Sequence, residues 1–257
     1  MNPDEPNAHF TFICELEPAT LCSNFRYDSR PFWTEKAPIR VASFSVWQNM
    51  LAVFYHTVKD EQSFDSINAE AHYLATAIIA CYGFLKKTAL EYSSKNWVEF
   101  QADATKTKII VGRFEEGIEP PVSHPDNDVF KQIEALMPLI LSNRTLARSL
   151  HDFYSCLLNM NPDFYFYAYR AVEDIRSYFG AAENDKEKVL AWNSMNKALN
   201  HEEKDYKELV NLARESRHAN KLGEVIDPEI VERQIVFVQS LIDGFIQYLS
   251  KRTEKPP

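Results

Sequence analysis

Apolar residues follow two different periods along the chain, and the period changes near residue 65. Residues 10–16, 39–47 and 51–58 alternate apolar and polar positions and are rich in β-branched and aromatic side chains, the pattern of half-buried strands. Gln48 and Asn49, between the last two runs, fit a tight hairpin because Asn tolerates positive φ. From residue 66 to 90 the spacing turns helical, with Ala71, Leu74, Ala75, Ile78, Ile79, Tyr82 and Leu85 recurring at three- and four-residue steps. Residues 97–101 and 108–114 return to strand character. The order β-β-β-α-β-β predicts an antiparallel sheet with one helix covering a face.

Residues 115–127 break both patterns, with Gly117, Pro120, Pro121, Pro125 and Asp126-Asn127 close together. A domain boundary is expected there, dividing an N-terminal α+β domain (1–120) from a C-terminal helical bundle (128–257). Beyond it only helical periods occur, over 128–141, 143–160, 162–179, 186–199, 202–217 and 228–250. Pro162 and Pro228 stand where proline favours a first helical turn, and Gly180 where a helix ends. The last helix repeats Val231, Ile235, Val238, Leu241, Ile242, Phe245 and Leu249 and would be about 35 Å long. Helices of this length suit an up-and-down bundle. The expected class is therefore α+β: sheet and covering helix first, all-α bundle second.

Composition narrows the function. An apolar content of 45% supports a substantial core, and no run approaches the length needed to span a bilayer. The acidic, proline-bearing start is unlike a secretory leader, so a cytoplasmic protein without membrane contact is expected. Cys14, Cys22, Cys81 and Cys156 lack ligand spacing, which argues for reduced thiols and against zinc. A net charge of −9 opposes broad attraction to nucleic acid. The imbalance is concentrated early: residues 1–143 hold 12 Lys+Arg against 19 Asp+Glu, residues 144–257 hold 16 against 18. A local cationic pocket in the second half is thus compatible with the total. No glycine-rich phosphate loop or zinc-protease motif occurs, and neither metal nor cofactor is expected.

Two polar signatures interrupt the helical half: Tyr169-Arg170-Ala171-Val172-Glu173, and Arg214-Glu215-Ser216-Arg217-His218-Ala219-Asn220. On the second, the apolar stripe of Tyr206, Leu209, Val210 and Ala213 runs on into Arg214 and Arg217, with His218 four residues beyond Arg214. Glu173 on the earlier helix is placed to meet Arg214 or Arg217 across the interface, since a charge beside a core face needs a partner. The same residues also fit surface roles. Arg170 with Asp174, and Glu173 with Arg176, have intrahelical pair spacing, and cations near a helix C-terminus interact favourably with its dipole. His151, like the other isolated histidines, has no ligand-like spacing. The run Phe164-Tyr165-Phe166-Tyr167 reads as core plus interface rather than a base-stacking platform.

Tyr-Arg-Ala-x-Glu on one helix followed by Arg-x-x-Arg-His on a later one resembles the HEPN-like helical domains of bacterial defence, toxin and phage-associated proteins, over roughly residues 143–250. The resemblance implies a metal-independent ribonuclease or RNA-binding bundle, commonly paired as a homodimer. It assigns Arg214 and Arg217 to a phosphate and His218 to general acid–base chemistry, with Glu173, Tyr169, Arg170 and Asn220 orienting them. Only three residues separate Arg214 from His218, fewer than in active members. Two other readings remain open: a catalytically silent module that dimerises or grips a protein partner, and a small-molecule protein with a pocket between the domains.

Overall fold

The structure, a computed structural model, describes residues 8–17, 23–28, 40–48, 50–57, 64–89, 91–101, 127–159, 163–180, 183–218 and 227–253. Two compact units divide the chain, Met1–Ile79 with Leu90–Pro138, and Ala80–Ala89 with Leu139–Pro257.

In the first unit the backbone of β1 (Ala8–Glu17), β2 (Ser23–Asp28), β3 (Arg40–Gln48), β4 (Met50–Thr57) and β5 (Glu91–Gln101) pairs in the order β2-β3-β4-β1-β5. Every neighbouring pair is antiparallel; Phe12 lies opposite Val53 on one side and Trp97 on the other. β2 was not expected from the sequence. The expected strand at 108–114 and the expected linker lie outside the described residues, apart from Asn127.

Among the described residues seven helices follow the helical periods: α1 (Phe64–Lys86), α2 (Asn127–Ser142), α3 (Arg144–Leu158), α4 (Asp163–Tyr178), α5 (Asp185–Leu199), α6 (Glu203–His218) and α7 (Pro228–Thr253). Their ends are set by side chains. Asn143 caps α3 by accepting from the Leu146 N–H at 2.9 Å, and Asn184 caps α5 through the Glu187 N–H at 3.0 Å. Glu187 returns the bond by accepting from the Glu183 N–H. Asn200 closes α5 in the left-handed region at φ 57°, a conformation Asn tolerates. Pro228 opens α7, with the Asp227 carboxylate accepting from the Glu229 N–H.

The α+β class expected from the sequence is corrected by where the packed core lies. Among the described residues every buried apolar side chain except Leu51 is on a helix, so the described core is that of an all-α bundle. The helix expected to cover a sheet also behaves differently. α1 is split between the units, and its end, with the residues through Ala89, belongs to the helical one. The physical reason is visible in Ala77–Phe84, a stretch buried on every side. A helix that is apolar all round needs neighbours all round, and a single sheet face cannot supply them. Phe84 meets Phe153 of α3 edge-on, with ring centroids 5.9 Å apart. The Gln239 amide of α7 donates to the Phe84 carbonyl at 2.8 Å. A Cβ at Gly83 would meet the Thr88 carbonyl oxygen at 3.3 Å, a tight contact, and Leu157 Cδ1 at 3.4 Å, an ordinary one.

Within the helical unit α3 packs chiefly on α4, and α4 also packs on α6 and α7. Leu146, Leu150 and Phe153 of α3, Phe164, Ala168, Ala171, Val172 and Ile175 of α4, and Val238, Leu241, Ile242 and Phe245 of α7 are almost wholly buried. Phe164 and Tyr165 are core, while Phe166, Tyr167 and Tyr169 are half-buried, so the aromatic run is largely consumed by the bundle itself. The prediction follows from α1: Phe84→Ala should destabilise the helical unit by about 3–5 kcal/mol, as for other large-to-small core changes. Denaturant titration followed by helical circular dichroism measures it, and an unchanged midpoint would show that α1 is not built into the bundle.

Candidate phosphate site on the helical bundle

The seam between α3 and α4 carries a four-residue charge arrangement that follows from helix geometry. Arg148 and Asp152 are four residues apart on α3, as are Arg170 and Asp174 on α4, so each pair occupies one face. Both helices place the cation first. Where they run antiparallel, each arginine meets the other helix's aspartate. Arg148 Nη2 lies 3.0 Å from Asp174 Oδ1, and Arg170 Nε lies 3.2 Å from Asp152 Oδ2. The two carboxyls thus share the floor of one seam, and the Oδ2 of each is buried without a hydrogen-bond partner.

Exposure differs sharply across this square. The Asp152 side chain is 3% exposed and Asp174 10%, whereas Arg148 is 57% and Arg170 42%. The carboxylates are thus the buried floor and the guanidinium groups a solvent-facing rim. Arg170 is braced further, standing over the Phe166 ring at 5.6 Å and the Tyr167 ring at 6.0 Å. Beneath, the Ser149 hydroxyl donates to the Ala171 carbonyl at 2.9 Å, and the Cys156 thiol to the Asp152 carbonyl at 3.2 Å.

Electrostatics follow the burial. Desolvation pushes Asp152 up to about 6, helped by Asp174 and opposed by Arg170 and Arg148. Asp174 is also raised by burial, with Arg148 pulling the other way. One residue before Asp152, His151 keeps an exposed edge, yet partial desolvation and the Arg170 charge hold its imidazole below the usual value. Arg144, Arg148 and His151, at i, i+4 and i+7, line one stripe of α3, with Arg170 adjoining it from α4. This stripe combines solvent-facing guanidinium donors with an imidazole that stays neutral at neutral pH.

The residues singled out in the sequence divide among several places. Arg170 belongs to the square, paired with Asp152 rather than with Asp174 of its own helix. Glu173 accepts from the Tyr169 hydroxyl at 2.7 Å and lies 3.6 Å from Lys188 Nζ on α5. Arg214 is exposed on α6. Arg217 and His218 close that helix, but their side chains, and all of Asn220, lie outside the described residues. Arg176 pairs with no carboxylate among the described residues. It is 8% exposed, and its Nε and Nη1 lack hydrogen-bond partners. Arg148, His151, Asp152 and Asp174 were missed as site residues. The signal for them was present as two Arg-x-x-x-Asp steps in the same order on consecutive helices. Among the described residues no group of three or more His, Cys, Asp and Glu is placed to hold a metal ion.

Residues 133–250 match the family described as the C-terminal domain of a domain of unknown function, DUF8168. The matched segment begins in α2 and ends in α7, and so contains the whole α3–α4 seam. No curated protein and no solved structure matches the chain.

Two outcomes follow from the buried charges. The folded state holds a proton on Asp152 up to about pH 6, whereas an unperturbed carboxyl releases it near 3.8. Between those values the folded state binds more protons than the unfolded one, so this contribution to stability is fully present below the lower value and lost as pH rises through the upper. Asp152→Asn should therefore flatten the pH dependence of the melting temperature across that window, and an unaltered profile would remove Asp152 as its source. Arg176→Met, replacing an unpaired buried cation by an apolar chain, should leave stability unchanged or raise it. A loss above about 2 kcal/mol would reveal an interaction that Arg176 supplies.

Proposed function

We propose that the helical unit binds a phosphate group of RNA or of a nucleotide on the α3–α4 face, using Arg148, Arg170 and Arg144 as donors and His151 as the adjoining acid–base group. The observation that carries this reading is the division of exposure across the square: two guanidinium groups are tethered by buried carboxylates yet keep about half their surface free. Tethering reduces the ordering cost of a long side chain before a ligand arrives, and guanidinium geometry matches phosphate oxygens in pairs. The ligand class agrees with the likeness to HEPN-like bundles. The location is one seam away from the α6 residues which that likeness singles out. Any cleavage would rest on arginine holding the phosphate and an imidazole moving the proton. No helix among the described residues is long and apolar enough to cross a membrane, and Cys81 and Cys156 are free and buried, which suits a reducing compartment such as the cytoplasm.

The test is titration of a fluorescent single-stranded RNA at several salt concentrations. Arg144→Glu and Arg148→Gln should each weaken binding, and loss of one phosphate contact should lower the salt slope by about 0.7. Arg214→Ala should leave both unchanged if the site is on α3–α4. A loss confined to Arg214→Ala would move the site to α6, and absence of binding by the unaltered protein would end the reading.

A second reading, a module that pairs with another copy of the chain, draws on Val189 and Leu190, adjacent on α5 and 57% and 64% exposed. Exposed neighbouring aliphatics are the kind of surface that association covers. Sedimentation of Leu190→Lys beside the unaltered protein tests it: equal masses would remove α5 from any interface.

A further inference from the structure

The carboxyl pair tethers the arginine rim, but two aspartates that share one buried seam, each with an Oδ2 lacking a hydrogen-bond partner, need an explanation beyond tethering. Two like charges at close range in a desolvated site repel, and sharing one proton relieves the repulsion. The arginines above are fixed in charge throughout the accessible pH range. The proton count on the pair therefore decides the net charge of the whole square. With both carboxyls ionised, Arg148 and Arg170 are cancelled. With one proton shared, a single positive charge is left over at the rim.

We propose that the Asp152–Asp174 pair is a proton-operated switch for the α3–α4 face, releasing one positive charge to a phosphate ligand on protonation and withdrawing it on ionisation. The proposal rests on the phosphate-binding reading of this face and adds its regulation. The groups facing the pair are few. From α3 they are Arg148 and the Cys156 thiol, from α4 Arg170 and, more distantly, Glu173, with His151 coupled to the same square through Arg170. On the other helices packed here, Glu208 of α6 is engaged with Arg233 of α7, and Arg252 with Tyr178 and Tyr248. Asp243 of α7 is shifted by burial alone. The upward displacement of Asp152 to about 6 puts the switching range within reach of mildly acidic surroundings.

The experiment compares binding of a 5′-phosphorylated single-stranded RNA to the full chain at about pH 7.5 and about pH 5.5, beside Asp152→Asn, Asp174→Asn and His151→Gln, each first checked for a cooperative melt. One added charge near the rim should tighten binding of the unaltered protein by ~3- to 10-fold at the lower pH. Either Asn variant should bind at the higher pH as the unaltered protein does at the lower, with the pH step gone. His151→Gln should keep the step, because it leaves the pair intact. A step that survives in both Asn variants, or vanishes in His151→Gln, overturns the switch while leaving the phosphate site standing. Carbon-13 carboxyl titration of the unaltered protein reads the pair without ligand. A titration of the pair near pH 6 in a protein that binds no RNA would sink the binding reading and the proposed output of the switch. Ordinary carboxylate titration in a protein that binds RNA would sink the switch alone.

Discussion

Burial of Asp152 and Asp174 is the constraint around which the helical unit is arranged. A carboxylate cannot be taken out of water without a countercharge, and here each countercharge comes from the neighbouring helix. That requirement fixes which face of α3 meets which face of α4 and in which direction the two helices run. Sliding one helix by a turn would leave a buried charge unpaired. The apolar contacts of Leu150, Phe153, Ala171 and Ile175 provide the burial, but they are tolerant of small slips. The charges are less tolerant, and they set the register.

The same constraint links fold to function. Long arginine side chains that satisfy buried acids must lie across the seam, and their outer faces then form a cationic rim on a chain of net charge −9. For an acidic protein, a small guanidinium-bearing face of this kind would give the proposed phosphate ligand a place to settle while the negative net charge discourages binding elsewhere.

How much of this was legible beforehand depends on the range of the interaction. Helix ends were readable at Pro228 and Gly180, which act on residues within a turn of themselves, whereas the caps Asn143 and Asn184 were not singled out. The stripe of α7 was readable because Val238, Leu241, Ile242 and Phe245 share one face. The role of α1 was not. Its apolar positions matched an amphipathic helix, but Ala77, Ala80, Cys81 and Phe84 fill the opposite side, and small residues there looked neutral until their neighbours were known. For Arg170 and Asp174, spacing on one helix fits a local ion pair equally well, and only the antiparallel partner decides between the two. His151 was passed over because the burial and the Arg170 charge that lower its imidazole pKa arise only after α3 and α4 have packed. Arg214 drew notice for continuing an apolar stripe, yet its side chain is exposed on α6.

The two buried cysteines have a consequence of a different kind. Cys81 on α1 and Cys156 on α3 are fully enclosed, and burial pushes the Cys81 thiol up to about 12 and the Cys156 thiol well above its usual value. Thiol reagents attack the thiolate, so neither sulfur is competent while the bundle is closed. Their reactivity is therefore a clock for opening. Cys81 would report separation of the first helix from the rest, and Cys156 would report parting of the seam over the buried acids. The chain thus carries two internal timers, on different helices.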